Sequence, residues 1–256
     1  MNRCRCLIAA GGNVEISSDV IHSALKSLES TEVQVEQISR SFRTAPVGSQ
    51  AGAEFLNAAA VISTSLDAQS LLRRLHETEN HFGRVRTIHW GPRTLDLDLI
   101  FYSDLLLDEP EIVVPHPAMW YRDFVLRPAA EIAPEMRHPI LGTTIAELLQ
   151  DLRIRPIVLE LSGCTDTEFG WLQSQIVNDR QLADLLQLCS PVTADADAQN
   201  RALSDVFARV ILIPGGPEAA VRRQPRNLTG RRIELVSEHP EQALEKLKAI
   251  AASILG

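Results

Sequence analysis

The stretch "FLNAAAVISTSLDAQSLLRRLHETENHFG", residues 55–83, joins a strand directly to an amphipathic helix. Its first ten residues form a short apolar run of strand length. The rest places large apolar residues on one face of a predicted helix, at Leu71, Leu72, Leu75 and Phe82. Asp67 stands at the N-cap position and Gly83 at the end, so both helix boundaries are marked in the sequence.

Similar elements lie on both sides of this pair. Residues 5–10 and 33–42 predict two strands, and "DVIHSALKSLES" between them predicts a helix. "TLDLDLIFY" predicts a further strand, whereas "TAPVGSQAGAE" (44–54) has the composition of a long loop. The resulting order, β-α-β-β-α-β, predicts an α+β, ferredoxin-like domain: an antiparallel sheet with helices on one side.

The remainder of the chain predicts a second, smaller unit. A short helix at "TIAELLQDL" precedes Arg155-Pro156, where the pattern starts again. Three strands ("IVLELS", "RVILIP", "RIELVS") and two helices ("EFGWLQSQIV", "PEQALEKLKAIAASIL") indicate a small α/β fold. We therefore expect two domains, at residues 1–153 and 156–256. Because the second domain has few candidate acid–base residues, it is predicted to be an interaction or regulatory module rather than a second enzyme.

Composition excludes several classes of protein. The 256-residue chain has a net charge of −8, which argues against nucleic-acid binding by its whole surface. Its 4 cysteines lack the spacing of a zinc site or a disulfide framework. The apolar run before Gly11 is short for a signal peptide, and no stretch reaches about 18 apolar residues. We therefore expect a soluble, cytoplasmic protein.

The most unusual segment is "RVRTIHWGPRTLDLDLIF", residues 84–101. Three arginines, Arg84, Arg86 and Arg93, precede a strand that carries Asp96 and Asp98. Because strand side chains alternate, both aspartates lie on one face, with Cα atoms about 6.6 Å apart. Paired carboxylates suit Mg²⁺, and arginine forks suit phosphate groups. The segment predicts a magnesium–polyphosphate site for a transfer reaction that needs no nucleophilic side chain.

Other interpretations of these residues remain open at this level. An arginine-rich loop can be simply solvated, and an arginine–tryptophan loop can bind RNA, although RNA binding would not use two inward aspartates. Glu79 lies on the apolar stripe of its helix, either as a rim residue or as part of the site. The chain has no Gly-x-x-x-x-Gly-Lys-Ser/Thr loop, which excludes P-loop chemistry.

Four segments, in order, resemble the 6-hydroxymethyl-7,8-dihydropterin pyrophosphokinase family of folate biosynthesis. They are "LIAAGGN" (7–13), "SFRTAPVGSQAGAEFLNAAAVIST" (41–64), "GRVRTIHWGPRTLDLDLIFY" (83–102) and "VPHPAMWYRDFVLRPAAEIAPE" (114–135). The resemblance covers about residues 1–152. It implies that ATP gives its β,γ-pyrophosphate to the hydroxymethyl oxygen of the pterin and leaves as AMP.

The resemblance also assigns roles to individual residues. Asp96 and Asp98 would hold two Mg²⁺ ions, while Arg84 and Arg93 would stabilise phosphate charge during catalysis. The implied ATP contacts are Glu79, Arg84, Arg86, Trp90, Arg93, His116 and Arg122. The implied pterin contacts are Thr44, Val47, Phe55, Asn57, Trp90 and Phe124. The segments 44–54 and 84–90 would act as lids over the bound substrates.

This chain also departs from the usual pattern of the family. Only "TIH" separates Arg86 from Trp90, which shortens one lid. Ala118 replaces an arginine that many members carry, and Phe55 stands where tyrosine is common. None of these departures removes an essential role.

A rival hypothesis from a different class is a non-catalytic module that binds pterin or nucleotide and whose C-terminal unit recruits a partner.

Overall fold

The computed structural model describes residues 3–13, 17–45, 54–82, 95–189, 208–214, 232–237 and 239–255. The chain divides into two compact units. One contains residues 1–151 together with 253–256, and the other contains residues 152–252.

The sheet of the first unit is antiparallel throughout. Its strands are β1 (Cys4–Asn13), β2 (Val33–Ile38), β3 (Phe42–Thr44), β4 (Phe55–Thr64) and β5 (Asp96–Tyr102). The spatial order is β2-β4-β1-β5, and β3 pairs with the other half of β4. This arrangement confirms the predicted α+β class and the antiparallel sheet.

The single strand predicted at 33–42 is wrong, because the chain forms two strands there. Between β2 and β3, the buried side chain of Ser39 accepts a hydrogen bond from the Ala59 backbone N–H over 2.9 Å. The Ser39 N–H in turn donates to the Ala59 carbonyl over 2.9 Å. Because a serine hydroxyl replaces a ladder acceptor at this point, regular pairing stops and restarts at Phe42.

Two helices cover one face of this sheet. Helix α1 (Ser18–Lys26) is capped by Ser17, and α2 (Ala68–His81) is capped by Asp67, whose carboxylate accepts from Ser70 N over 2.7 Å. Their apolar stripes join alternate residues of the strands in one core, which includes Ile8, Ala10, Ile21, Leu25, Ala60, Leu71, Leu75, Leu97 and Leu99. Helices α1 and α2 thus confirm the helices predicted for this side of the sheet.

The opposite face carries a third layer that the sequence did not predict. Helix α3 (Asp123–Ile132) contacts β4, β3 and β1. The residues that β1, β4 and β5 turn to this face are also buried, at Leu7, Ala59, Val61 and Phe101. Pro128 lies inside α3. Because proline is a strong helix breaker, its presence weakens the signal for a helix in the sequence of this segment.

Shorter elements complete the first unit. Strands β6 (Leu107–Asp108) and β7 (Val113–Val114) pair with each other, and a 3-10 turn spans Met119–Tyr121. Helix α4 (Ile145–Asp151) confirms the short helix predicted there.

The second unit is a small parallel α/β fold. It contains β8 (Ile157–Ser162), α5 (Asp166–Asn178), α6 (Arg180–Leu185), β9 (Leu186–Cys189), β10 (Ala208–Pro214), β11 (Arg232–Ser237) and residues 240–252 of α7 (Pro240–Leu255). The strand order is β11-β10-β8-β9, and every pairing is parallel. The predicted strands and helices are present, and α6 and β9 are additional. In the described part of the chain, no helix has the length and apolarity needed to cross a membrane.

Candidate active site

The strand register places the predicted site residues in a row on one face of the first sheet. On β1, Gly11 pairs with Asn57 of β4 on one side and with Asp96 of β5 on the other. Two residues earlier, Ala9 pairs in the same way with Ala59 and Asp98. Because directly paired residues point to the same face, Asn57 and both aspartates share the face on which α3 packs.

The centre of this row carries small residues. Ala9 lies between Ala59 and Asp98, Gly11 lies between Asn57 and Asp96, and both Ala9 and Gly11 are half-buried. A Cβ atom added to Gly11 would lie 3.0 Å from Asn57 Oδ1. The small residues therefore form a floor between the amide on one side and the carboxylates on the other.

Asp96 and Asp98 occupy the positions predicted for them. Both are half-buried, while Leu95, Leu97 and Leu99 point into the core on the opposite face. Among the residues that the structure describes, no cluster of three or more potential metal-binding side chains occurs. Two carboxylates suffice for Mg²⁺ when substrate phosphates supply further oxygen ligands. The donor set therefore fits a magnesium ion bound together with a nucleotide.

Glu79 lies beside the aspartate strand, but it approaches from the other layer. It belongs to the last turn of α2, and its side chain is 1% exposed. Its Oε1 accepts a hydrogen bond from the backbone N–H of Leu97 over 2.8 Å. The partner of this hydrogen bond is thus the residue between Asp96 and Asp98.

Among the described residues, the predicted pterin contacts Thr44 and Phe55 lie beside Asn57. Its Nδ2 donates to Thr44 Oγ1 over 2.8 Å, and both side chains are buried. Thr44 pairs with Phe55 across β3 and β4, so Phe55 lies on the same face as Asn57. Phe55 is half-buried. The arrangement offers an aromatic ring next to a fixed amide.

The start of α3 brings a predicted ATP contact and a predicted pterin contact together. The Arg122 guanidinium lies over the Phe124 ring, 5.5 Å from its centroid. His116 lies on the segment before α3, where its backbone N–H donates to the Ile100 carbonyl of β5 over 3.0 Å. Its Nδ1 accepts a hydrogen bond from the Ala118 backbone N–H over 3.2 Å, which helps to hold the imidazole ring in place.

Comparison with known proteins identifies the first unit. The family model for 7,8-dihydro-6-hydroxymethylpterin-pyrophosphokinase matches residues 7–134. The chain belongs to this family. Membership makes it a pyrophosphokinase, which confirms the predicted enzyme class and the predicted reaction.

Three bacterial relatives, each named 2-amino-4-hydroxy-6-hydroxymethyldihydropteridine pyrophosphokinase, show the same similarity. The Synechocystis protein is 38% identical over 168 residues, which is 63% of this chain and 86% of the relative. The Pseudomonas aeruginosa protein is 38% identical over 146 residues (57% and 90%). The Bacillus subtilis protein is 38% identical over 130 residues (50% and 78%). All predicted site residues of this pyrophosphokinase lie within the segment that the family model matches.

Part of the predicted site lies outside the described residues. This concerns residues 46–53 of the first lid, the whole of the second lid, and the side chains of Val47, Arg84, Arg86, Trp90 and Arg93. The described residues Thr44, Phe55, Asn57, Asp96 and Asp98 are brought to one face, with Arg122 and Phe124 at the helix that covers it.

Sequence reasoning missed the floor residues of the pyrophosphokinase. Residues 9–12 of "LIAAGGN" are all small, and this run is the available signal. In a strand, alternation places Ala9 and Gly11 on one face and Ala10 and Gly12 on the other. What the signal lacks is the identity of the two neighbouring strands, which depends on long-range pairing.

Proposed function

We propose that this family member transfers the β,γ-pyrophosphoryl group of ATP to 6-hydroxymethyl-7,8-dihydropterin in folate biosynthesis. The hydroxymethyl oxygen forms a bond to the β-phosphorus, and the bond from that phosphorus to the α,β-bridging oxygen breaks. The hydroxyl proton is lost and AMP leaves with both electrons of the broken bond. The products are AMP and the pterin diphosphate.

The observation that carries the proposal is the pairing of Gly11 with Asn57 and Asp96. Strands β4 and β5 flank β1, so the amide and the carboxylates are rooted about 10 Å apart. A bicyclic heterocycle with a hydroxymethyl arm has about this length. A pterin held by Asn57 therefore presents its hydroxyl close to phosphates held beside Asp96 and Asp98, which supports direct in-line transfer.

Asp96 and Asp98 would hold Mg²⁺, and we propose two ions. When bound, the ions would neutralise phosphate charge and lower the pKa of the pterin hydroxyl. Arg84 and Arg93 are proposed to bind the transferring phosphates as charged forks, and Arg86 to join them on closure. These side chains donate charge-assisted hydrogen bonds to the phosphates and contribute no covalent chemistry.

The pterin is proposed to stack between Phe124 and the region of Phe55, with Asn57 binding its heterocyclic edge. The fixed pair of Asn57 and Thr44 supports this role, because a preorganised amide loses little entropy on binding. Val47 and Trp90 are proposed to close over the ring. The ATP side is proposed to use His116, Arg122 and Trp90.

The test is AMP release from ATP, Mg²⁺ and hydroxymethyl-dihydropterin, measured for the wild type, Asp98→Ala and Asp104→Ala. Asp104 is an exposed acid just beyond β5, so it controls for loss of negative charge. We expect Asp98→Ala to lose about three orders of magnitude in rate and Asp104→Ala to match the wild type. Equal rates for wild type and Asp98→Ala would refute the metal assignment.

The alternative, a binding module without catalysis, predicts a different result in the same assay. The wild type would then bind pterin or nucleotide in calorimetry but release no AMP. A protein-binding role for residues 156–256 stays a prediction. This prediction would be contradicted if the chain without residues 156–256 still captured every protein that the full chain captures in a pull-down experiment.

A further inference from the structure

Glu79 accepts a hydrogen bond from the backbone of Leu97, which lies between the two aspartates on β5. Strand β5 pairs with β1 through Gly11↔Asp96, Ala10↔Leu97 and Ala9↔Asp98. Successive backbone N–H groups in a strand point to opposite edges. Since the Leu97 N–H points to Glu79, the N–H groups of Asp96 and Asp98 point to β1.

Two sets of contacts therefore hold the aspartate pair from two edges. On the inner edge, β1 is a central strand and its neighbours fix it. On the outer edge, in the part of the sheet that the structure describes, β5 has no further strand at Leu97, and the Glu79 side chain supplies the acceptor. A backbone N–H without an acceptor at this buried position would destabilise the strand edge, so the Glu79 carboxylate is needed there.

Glu79 reaches this position from the side away from the carboxylates. Its helix, α2, packs in the core that contains Leu95, Leu97 and Leu99, whereas Asp96 and Asp98 point to the opposite face. The Glu79 side chain is 1% exposed, so it is enclosed by protein rather than presented to a ligand. Its hydrogen bond to the strand backbone connects Glu79 to the strand that carries the carboxylates.

We propose that Glu79 is a positioning residue for the magnesium site and acts through the Leu97 backbone instead of through contact with ATP. The hydrogen bond sets where β5 stands at Leu97, and hence the spacing and direction of the two carboxylates. Small displacements matter, because metal ligands must be held to within about 0.5 Å. The inference rests on the proposed function, since it takes Asp96 and Asp98 as the metal ligands.

Positioning through the Leu97 backbone and direct contact with ATP predict different effects for two substitutions of Glu79. Glu79→Gln keeps an oxygen that can accept from Leu97 N–H but removes the carboxylate charge. Glu79→Leu keeps the approximate size and removes the acceptor. The matched controls are Glu77→Gln and Glu77→Leu, because Glu77 is an exposed carboxylate on the same helix. Thermal unfolding of all four proteins shows which of them fold.

Metal binding is measured directly, by the loss of the free Mn²⁺ spectrum in electron paramagnetic resonance. The protein is titrated in the presence of α,β-methylene-ATP, which cannot transfer its terminal pyrophosphate. We expect Glu79→Leu to weaken Mn²⁺ binding about 10- to 100-fold. Glu79→Gln and both Glu77 variants should stay within about threefold of the wild type, with unchanged pterin affinity.

Two results would overturn the proposal. If Glu79→Gln weakens nucleotide binding as much as Glu79→Leu while Mn²⁺ binding is unchanged, the carboxylate contacts ATP. If Glu79→Leu folds and binds Mn²⁺ like the wild type, the hydrogen bond positions nothing. Should Glu79→Leu fail to fold, Glu79→Gln still decides, since loss of Mn²⁺ binding in that variant excludes positioning. Mn²⁺ binding does not depend on AMP formation, so the failure of the proposed reaction is separately visible.

Discussion

The Nδ2 atom of Asn57 donates a hydrogen bond of 2.8 Å to the Oγ1 atom of Thr44, and both side chains are almost completely buried. The pair joins β4 to β3, the short strand that leads into the 46–53 segment. Its consequence is that the orientation of the Asn57 amide is decided before any ligand binds. The remaining Oδ1 lies toward Gly11 and the floor of the site.

Replacement of Thr44 by valine is expected to weaken pterin binding. Valine has nearly the same shape but leaves the buried Asn57 Nδ2 without this acceptor, at a cost of about 1–3 kcal/mol. We expect a pterin Kd at least about tenfold higher by calorimetry, together with a lower Tm. Thr44→Ser keeps the hydroxyl and should bind like the wild type. Equal pterin affinity in Thr44→Val and Thr44→Ser would show that the pair does not orient the amide.

Gly11→Ala is expected to disturb the pterin side of the site. The new methyl group would meet Asn57 Oδ1 at 3.0 Å, which is tighter than normal contact, and Asn57 is fixed by Thr44. We expect a pterin Kd about tenfold higher, measured by fluorescence or calorimetry. Gly170→Ala is the control, because a Cβ there meets nothing within 4 Å. That substitution lies in α5 and should leave pterin binding unchanged while raising the Tm slightly.

Substitution of Arg122 is expected to affect both substrates. Its guanidinium lies 5.5 Å from the Phe124 ring centroid, so it supports the ring that is proposed to stack on the pterin. We expect Arg122→Gln to raise both the KM for ATP and the Kd for pterin. Phe124→Leu should raise the pterin Kd further than the KM for ATP. The double variant should show a smaller loss of pterin affinity than the sum of the two single losses. Simple additivity would mean that the two side chains act independently.

The Cys6 thiol is expected to be inert in the folded protein. Burial raises the pKa of Cys6 to about 12, from an ordinary value of 9.0. Because the thiolate is the reactive form and a raised pKa reduces it, only about one Cys6 in ten thousand is ionised at pH 8. Iodoacetamide at pH 8 should leave Cys6 unmodified in peptide mass mapping, and labelling should increase as the pH rises toward 12. In denaturant Cys6 should react readily. Rapid native labelling at pH 8 would contradict its buried position.

The local patterns of the sequence predicted most of the elements of the first unit. Helix α2 begins where Asp67 predicts, because a capping carboxylate acts on residues within one turn. The alternation in "TLDLDLIFY" placed both aspartates on one face, because side-chain direction in a strand follows from position alone. Strands β2 and β3 are predicted from the sequence as one element, since the interruption depends on a hydrogen bond that the Ala59 backbone N–H donates to the Ser39 hydroxyl, 20 residues away.

The residue pattern alone predicts the chemical groups available at the site, namely a pair of carboxylates, a cluster of arginines and the aromatic residues around them. Which of these groups meet depends on the way the strands and helices pack together. The sheet order places Gly11 between Asn57 and Asp96, and the α2 packing brings Glu79 to Leu97. Both relationships arise from pairing between segments far apart in the chain. Such pairing depends on the burial of the whole core, which the pattern of a single segment does not predict.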